Sequence, residues 1–145
     1  MKRLLLLVSL LAIVLSACAQ GTPSAPVQSG EIKVDGGSFS RITAAQFDAM
    51  LQKKDFLLVN THIPYAGEIK GTDLFMPYNE VEQNLTSLPA DKGAKIVLYC
   101  RSGYMSDIAA KTLVRSGYTN VWDVEGGMMV WEREGHPLVQ RTPAP

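Results

Sequence analysis

Cys100 is the residue of this chain whose type and position most directly offer chemistry. It follows an apolar run over residues 95–99, and a short stretch separates it from a helix predicted to begin near Ser106. In open parallel α/β sheets, ligands bind at the carboxyl ends of strands, and a loop that turns into a helix directs backbone N–H groups toward its centre. Such a loop would stabilise a thiolate or a persulfide on Cys100, and Arg101 would add a fixed positive charge.

A buried structural cysteine at a strand end is the alternative interpretation, because cysteine is common in protein cores. The composition of the loop favours a reactive thiol, since a polar, glycine-containing segment makes a poor core. We therefore take Cys100 as the candidate catalytic residue. The candidate active-site loop consists of Arg101, Ser102, Gly103, Tyr104, Met105 and Ser106.

Strands and helices are predicted to alternate along the domain that positions this loop. Apolar runs predict buried strands over residues 55–59, 95–99 and 120–124, and helices are predicted over residues 43–52, 80–88, 106–116 and 127–134. Thr43 begins a capping box, and Gly117 lies where a helix needs a left-handed C-cap. The apolar residues over 61–78 follow neither the helical nor the strand period, and this stretch is predicted to be a long connection. This alternation predicts an α/β domain with a mostly parallel sheet.

The N-terminal residues are predicted to be a targeting segment rather than part of the domain. A basic pair at residues 2–3 precedes an apolar run over residues 4–15, which is the length of a signal-peptide core and short for a membrane span. The run ends in Leu15-Ser16-Ala17-Cys18, which resembles the lipobox of bacterial lipoproteins. That resemblance implies a lipid on the Cys18 sulfur and cleavage before it. An ordinary secretory signal, with Cys18 as a bystander, is the alternative.

The chain therefore divides into a signal peptide over residues 1–17, a lipidated Cys18 with a flexible tether over residues 18–37, a folded domain over residues 38–139 and a disordered tail over residues 140–145. The tether is rich in Ser, Pro and Gly and cannot bury much apolar surface. We expect an extracytoplasmic protein that is lipid-anchored in the bacterial cell envelope. Ala19 replaces the Asp that often retains lipoproteins at an inner membrane, so an outer membrane is expected where the cell has one.

Charge and cysteine content narrow the possible functions further. Without the basic pair of the signal, 12 basic residues face 14 acidic ones, and no basic stretch predicts a nucleic-acid partner. If Cys18 is lipidated, Cys100 is the one thiol left in the sequence. Exported proteins tend to pair their cysteines or lack them, which favours a working thiol at Cys100.

Two stretches of the sequence resemble the second half of a rhodanese domain, and a third resembles its ending. These stretches are Tyr99-Cys100-Arg101-Ser102-Gly103 with Ser106, then Val124-Glu125-Gly126-Gly127 with Trp131, and finally Gly135-His136-Pro137-Leu138. The first half of the chain is an altered match, because Asn60-Thr61-His62 stands where the family commonly has Asp-Val-Arg. The resemblance covers the whole predicted domain.

The resemblance implies a sheet of about five strands with helices on both faces. It also implies that Cys100 is a nucleophile cradled by backbone amides from Arg101 through Ser106. In this chemistry the thiolate takes the outer sulfur of a donor such as thiosulfate, sulfite leaves, and a thiol or cyanide then accepts the sulfur from the persulfide. The expected partners are a small sulfur donor, a thiol acceptor and an envelope protein, and no cofactor is expected.

Departures from the family pattern bear on the substrate. Met105 stands where single-domain relatives often carry an Arg that would help to hold an anionic donor, which puts thiosulfate in doubt. Asn60 and His62 stand in place of the Asp and Arg of the family pattern, so the ion pair expected from those two residues is absent. His62, Glu68 and Asp73 share one loop, but their spacing fits no metal site, so no metal is expected. His136 and Trp131 are interpreted as a surface turn residue and a core residue.

Three functions remain open at this stage. The first is a sulfurtransferase that works through a Cys100 persulfide. The second is a tethered binding module that keeps the fold without turnover, and the third is a thiol-redox protein of the envelope that a partner reductase restores. Phosphatase chemistry is disfavoured, because cysteine phosphatases place an Arg where this chain has Ser106.

Overall fold

The computed structural model describes residues 30–141, and these form one α/β domain with two sheets. The strands are β1 (Gly30–Val34), β2 (Gly37–Ile42), β3 (Leu57–Asn60), β4 (Glu68–Ile69), β5 (Leu74–Phe75), β6 (Ile96–Tyr99), β7 (Val121–Val124) and β8 (Leu138–Val139). The helices are α1 (Ala44–Leu51), a 3-10 helix (Glu82–Ser87), α2 (Tyr104–Arg115) and α3 (Gly127–Arg133). Within this part of the chain, no helix has the length and apolar composition needed to cross a bilayer.

The main sheet has six strands in the order β1-β2-β7-β6-β3-β5. β1 pairs with β2 in antiparallel fashion, and every other neighbouring pair is parallel. The carboxyl ends of β2, β3, β6 and β7 therefore lie at one edge of the sheet. β4 and β8 form a separate two-stranded antiparallel sheet.

Helices cover both faces of the main sheet, as predicted. On one face, α2 and the 3-10 helix region pack against the sheet through Ala109, Ala110, Leu113, Val81 and Leu88. On the other face, α1 and α3 pack through a second set of buried side chains: Ala44, Phe47, Met128 and Trp131. The central strand β6 is buried on both sides, which explains its continuous apolar sequence.

Local signals in the sequence set two of the helix ends. Thr43 caps α1, where its hydroxyl accepts from the Gln46 N–H at 3.2 Å and the Gln46 side chain accepts from the Thr43 N–H at 2.8 Å. Gly117 ends α2 in the left-handed region, with its N–H donating to the Val114 carbonyl at 2.9 Å. Both predictions are confirmed, and α2 begins at Tyr104, two residues earlier than predicted.

The structure corrects the predicted limits of the domain. The tether is predicted to run to residue 37, but β1 begins at Gly30 and forms a hairpin with β2, which adds a sixth strand to the expected five. The alternating Ile32 and Val34 pack against the α2-side core, and this contact orders the segment. The tail is predicted to start at residue 140, yet the Arg141 guanidinium donates to Glu68 at 3.2 Å.

Two predictions between residues 61 and 88 also need correction. The connection over residues 61–78 contains the short strands β4 and β5, each of which pairs with a strand elsewhere in the chain. The helix predicted over residues 80–88 is a 3-10 helix over Glu82–Ser87 with a kink at Asn84. Short strands and 3-10 turns carry too little periodicity to be read from the sequence.

Candidate functional site

The edge of the sheet formed by the carboxyl ends of its parallel strands carries the candidate site. Cys100 follows β6, and the loop at residues 101–103 leads from it directly into α2. His62 lies two residues beyond β3, and Glu125 directly follows β7. The predicted site residues 100–106 are contiguous, and the structure keeps them together as one loop and one helical turn.

The sulfur of Cys100 lies inside this loop, and the residue is 1% exposed. The backbone N–H of Gly103 donates to the Sγ atom of Cys100 at 3.1 Å. The hydroxyl of Ser106 lies 3.6 Å from the same sulfur and 3.2 Å from the Gly103 carbonyl oxygen. Two donors therefore converge on Sγ, and both would favour a negative charge there.

Gly103 makes this geometry possible because its φ is +96°, in the left-handed region that residues with a Cβ rarely adopt. It is the N-cap of α2, and its carbonyl accepts the Asp107 N–H at 3.1 Å. The positive end of a twelve-residue helix therefore starts at the residue that hydrogen-bonds the sulfur. The cradle and the helix dipole act on the same atom.

The start of α3 fixes the other side of the loop. The Met128 N–H donates to the Cys100 carbonyl at 2.9 Å, and the Met129 N–H donates to the Arg101 carbonyl at 2.9 Å. A Cβ at Gly127 would stand 2.1 Å from the Cys100 carbonyl oxygen, so only glycine fits. The Gly126-Gly127 pair thus lets α3 approach the backbone of the reactive loop.

The remaining loop residues differ in exposure. Arg101 and Ser102 are exposed, Tyr104 is 71% exposed, and Met105 is half-buried in the first turn of α2. Ser106 is fully buried below the sulfur. The loop therefore presents a cation and an aromatic ring to solvent while its sulfur and hydroxyl remain inside.

Asn60 and His62 stand where an ion pair is expected from the family pattern. Asn60 is buried, donates to the Gly67 carbonyl at 3.1 Å and accepts the His62 N–H at 3.1 Å. It thus holds the turn after β3 without a charge. Burial and then the Arg101 charge lower the pKa of His62, so this imidazole is neutral at pH 7 beside the reactive loop.

A second charged cluster lies beside the loop, and sequence reasoning missed it. Asp123 on β7 is buried, and its Oδ2 atom accepts from Arg41 on β2 at 3.1 Å and 3.0 Å. The same guanidinium donates to Asp107 on α2 at 2.6 Å. The only signal in the sequence is an acidic residue within the otherwise apolar Val121–Val124 strand, which is unusual for a buried position.

The environment of Asp123 shifts its proton equilibrium. Burial raises its pKa to about 6, although the nearby Ser106 hydroxyl and Arg41 act in the opposite direction. Its Oδ1 atom has no hydrogen-bond partner among the described residues. A cavity of ≈ 250 Å³ lies between Asp123, Arg41, Asp107 and the loop residues Ser102 and Gly103.

The histidines and the other candidate ligands do not form a metal site. Among residues 30–141, no group of three or more His, Cys, Asp or Glu side chains could hold a metal ion. His136 is half-buried directly after the turn that ends α3, and it stacks on Trp131 at 3.9 Å between ring centroids. The predicted lipidation site Cys18 lies outside the described residues.

The fold and the site together define a class: an α/β domain with a cysteine in a loop between a central strand and a helix. Residues 43–134 match the rhodanese-like domain family, and the chain belongs to that family. Relatives include a sulfurtransferase of Allochromatium vinosum, which is 33% identical over 88 residues that cover 59% of this chain and 80% of the relative.

Two further relatives are longer proteins. The adenylyltransferase and sulfurtransferase UBA4 of Candida albicans is 32% identical over 101 residues, which cover 63% of this chain and 23% of that protein. A tRNA uridine(34) hydroxylase of Escherichia coli is 28% identical over 99 residues, which cover 64% of this chain and 28% of that protein. This chain therefore spans about a quarter of each.

Solved structures show the same fold. A rhodanese-related protein from Thermoplasma volcanium superimposes with a TM-score of 0.60 at 27% identity, covering 70% of this chain and 98% of that one. The rhodanese-like domain of the Alr3790 protein from Anabaena gives a TM-score of 0.59 at 25% identity, covering 72% and 85%.

Proposed function

We propose that this protein is a sulfurtransferase in which Cys100 carries a sulfane sulfur as a persulfide. The observation that carries the proposal is the 3.1 Å contact from the Gly103 N–H to the Cys100 sulfur at the start of α2. A buried structural cysteine needs no such donor, whereas a thiolate or persulfide is stabilised by it. The family membership and the relatives named as sulfurtransferases support the same reaction class.

The proposed cycle has two steps. In loading, the Cys100 thiolate attacks the outer sulfur of thiosulfate, the S–S bond of thiosulfate breaks, and sulfite leaves with the electron pair. In discharge, cyanide or a thiolate attacks the outer sulfur of the persulfide, and the Cys100 thiolate leaves. The Gly103 N–H stabilises the negative sulfur at the beginning and the end of the cycle, and the Ser106 hydroxyl is a second donor within reach of it.

Arg101 supports an anionic donor, because its exposed guanidinium follows the reactive residue directly. The neutral His62 next to it adds no second charge at pH 7. The site of this chain thus offers one exposed cation beside the sulfur. We propose thiosulfate or a polysulfide as the donor and a low-molecular-weight or protein thiol as the acceptor.

We also propose that the domain works at the cell envelope, held by a lipid on Cys18. The signal-like residues 1–17 and the lipobox-like sequence before Cys18 support this location. Two acyl chains would anchor the protein stably, since each buried CH₂ contributes about 0.8 kcal/mol. Globomycin treatment of expressing cells tests the anchor, with the intact mass of the chain as the readout. In cells without the inhibitor, a product that is unprocessed and unlipidated would contradict the anchor.

The test of the reaction uses the full-length chain purified in detergent, with Cys100→Ser and Cys18→Ser as matched cysteine variants. Each protein is incubated with thiosulfate or polysulfide, and its intact mass is recorded before and after cyanide. We expect the wild type and Cys18→Ser to gain one sulfur that cyanide removes as thiocyanate. Cys100→Ser should gain none. A sulfur gain that persists in Cys100→Ser would overturn the assignment.

The same experiment separates the two other functions. A redox thiol would take up no cyanide-labile sulfur, but with added hydrogen peroxide it would gain one oxygen as sulfenic acid, which dithiothreitol reduces back to the thiol. A binding module without turnover would leave Cys100 unmodified by every donor while iodoacetamide still alkylates it. Either result would replace the sulfurtransferase proposal.

A further inference from the structure

Asp123 is a buried acid that lies behind the reactive loop and is not fully paired. Its side chain is 1% exposed, and Arg41 occupies only its Oδ2 atom. The Oδ1 atom is buried and has no hydrogen-bond partner among residues 30–141. A buried carboxylate oxygen without a hydrogen bond is unfavourable, so its position next to the loop calls for a functional explanation.

Ser106 connects this acid to the sulfur. Its hydroxyl lies 3.6 Å from the Cys100 Sγ and 3.2 Å from the Gly103 carbonyl, and it is close enough to Asp123 to lower the pKa of that acid. A serine hydroxyl has one proton to donate but two lone pairs with which to accept. The Cys100 sulfur, the Gly103 carbonyl and the nearby Asp123 carboxylate therefore compete for the same proton, and the hydroxyl lies within hydrogen-bonding distance of the first two.

We propose that Asp123 is a positioning residue that controls, through the Ser106 hydroxyl, how strongly the Cys100 sulfur is stabilised as an anion. The proposal rests on the sulfurtransferase function proposed above. When Asp123 is ionised, it draws the Ser106 proton toward itself, because a charged acceptor binds a donor more strongly than a neutral one. When Asp123 is protonated, it donates to the Ser106 oxygen, and Ser106 donates to the sulfur.

The charges near Asp123 come from β2, from α2 and from Glu125, which directly follows β7 and lines the same cavity. β2 contributes Arg41, and α2 contributes Asp107, which is itself paired with Arg41 and Lys111. The adjacent strand β6 places Leu98 in register with Asp123 and brings no charge. Burial outweighs Arg41 and brings the pKa of Asp123 to about 6, so the protonation of Asp123 would change near pH 6.

The consequence falls on the discharge step. Cyanide attacks the outer sulfur of the persulfide, the S–S bond breaks, and the electron pair leaves on Cys100 Sγ. A hydrogen bond from Ser106 to that atom stabilises the leaving thiolate and speeds its departure. Discharge should therefore be assisted below the pKa of Asp123 and lose this assistance above it.

Asp123→Asn separates this role from a purely structural one. Arg41 should fix the orientation of the new amide, because the guanidinium needs the carbonyl oxygen as its acceptor, which directs the NH₂ group toward Ser106. The amide of this variant would then imitate the protonated acid at every pH. Asp123→Asn is also nearly isosteric, so the packing around β7 is preserved.

The experiment loads the full-length protein with sulfur and follows its discharge by cyanide in a stopped-flow instrument between about pH 5 and pH 8. Rates are compared as the ratio of wild type to Asp123→Asn at each pH, which cancels the protonation of cyanide itself. We expect a ratio near one at the acidic end that falls about fivefold above pH 6, the effect of one hydrogen bond. The discharge rate of Ser106→Ala, divided by that of Asp123→Asn, should be low at every pH and should show no fall near pH 6.

Asp107→Asn is the matched control, because it removes the other carboxylate of the same guanidinium. The Asp107 charge raises the pKa of Asp123, so this variant should keep the step but move its midpoint to lower pH. A wild-type to Asp123→Asn ratio that stays constant with pH would overturn the proposal. If Cys100 takes up no sulfur, the sulfurtransferase function fails, and the same ratio measured for iodoacetamide alkylation of Cys100 decides the proposal by itself.

Discussion

The carbonyl oxygen of Cys100 lies only 2.1 Å from the position that a Cβ on Gly127 would occupy. The N–H of the next residue, Met128, donates to that carbonyl at 2.9 Å. The first turn of α3 is thus in direct backbone contact with the reactive residue. The orientation of the Cys100 sulfur therefore depends on a residue 27 positions away in the chain.

Gly127→Ala should destabilise the fold and impair sulfur loading. The new Cβ would collide with the Cys100 backbone, and the φ of +52° disfavours any residue with a Cβ. We expect a loss of about 3 kcal/mol in the free energy of unfolding, measured by urea denaturation. The protein that still folds should also take up less sulfur, since the loop at Cys100 must move to make room for the new Cβ.

Gly135→Ala is the control for this change. Gly135 also has a positive φ, +90°, but nothing lies within 4 Å of the position that its Cβ would take. It should lose about 1 kcal/mol from the backbone conformation alone and keep full sulfur loading. Equal losses in the two variants would show that the contact with Cys100 is unimportant.

The predictable part of the site is the part that is contiguous in sequence. The sequence predicts the loop from Cys100 to Ser106 as a unit, because a strand, a glycine loop and a helix follow one another within a few residues. The structure confirms its placement at the strand end and its contact with a helix N-terminus. Local order along the chain determines this geometry.

The Asp123–Arg41 pair cannot be predicted in the same way. The two residues are 82 positions apart and meet only because β2 and β7 are neighbours in the sheet. β2 forms a hairpin with β1, a segment whose Gly-rich sequence predicts a tether. The alternation of Ile32 and Val34 is a weak period-2 signal, and two positions are too few to establish a strand.

The pH dependence of stability should differ between the wild type and Asp123→Asn. The folded pKa of Asp123 is raised from 3.8 to about 6, so the folded state binds the proton more tightly than the unfolded state. Wild-type stability should therefore fall as the pH rises through this range and then level off. Asp123→Asn does not titrate, so it lacks this loss. Its free energy of unfolding should rise relative to that of the wild type by an amount on the order of 3 kcal/mol as the pH rises through this range.

Urea unfolding at a series of pH values measures this difference. Asp107→Asn should behave in the opposite way: partial burial alone would raise the pKa of Asp107, but the hydrogen bonds that it accepts from Lys111 and Arg41 lower it overall. Its carboxylate stabilises the fold above the unfolded pKa, so the variant should lose stability relative to the wild type as the pH rises. Parallel curves for wild type and Asp123→Asn would contradict the burial of a titrating acid.

The imidazole of His62 should titrate below its ordinary pKa and respond to Arg101. Burial lowers the pKa of His62, and the Arg101 charge lowers it further. Arg101→Ala should therefore raise the His62 pKa, although not to the ordinary value, because burial remains. An NMR titration of the imidazole protons measures this change, with Arg115→Ala as a distant control. Identical His62 titration curves in wild type and Arg101→Ala would mean that the two side chains do not lie close together.

Met105→Arg should improve the use of thiosulfate. Met105 is half-buried in the first turn of α2, next to the loop that holds the sulfur, and it brings no charge to an anionic donor. A guanidinium there would add a charge-assisted contact to the donor, and we expect kcat/KM for thiosulfate to rise about tenfold. Met105→Gln matches the polarity without the charge and should show little gain. Added salt should weaken the improvement, since the new attraction is electrostatic. A rise of equal size in Met105→Gln would indicate that loop packing, rather than charge, limits the reaction with the donor.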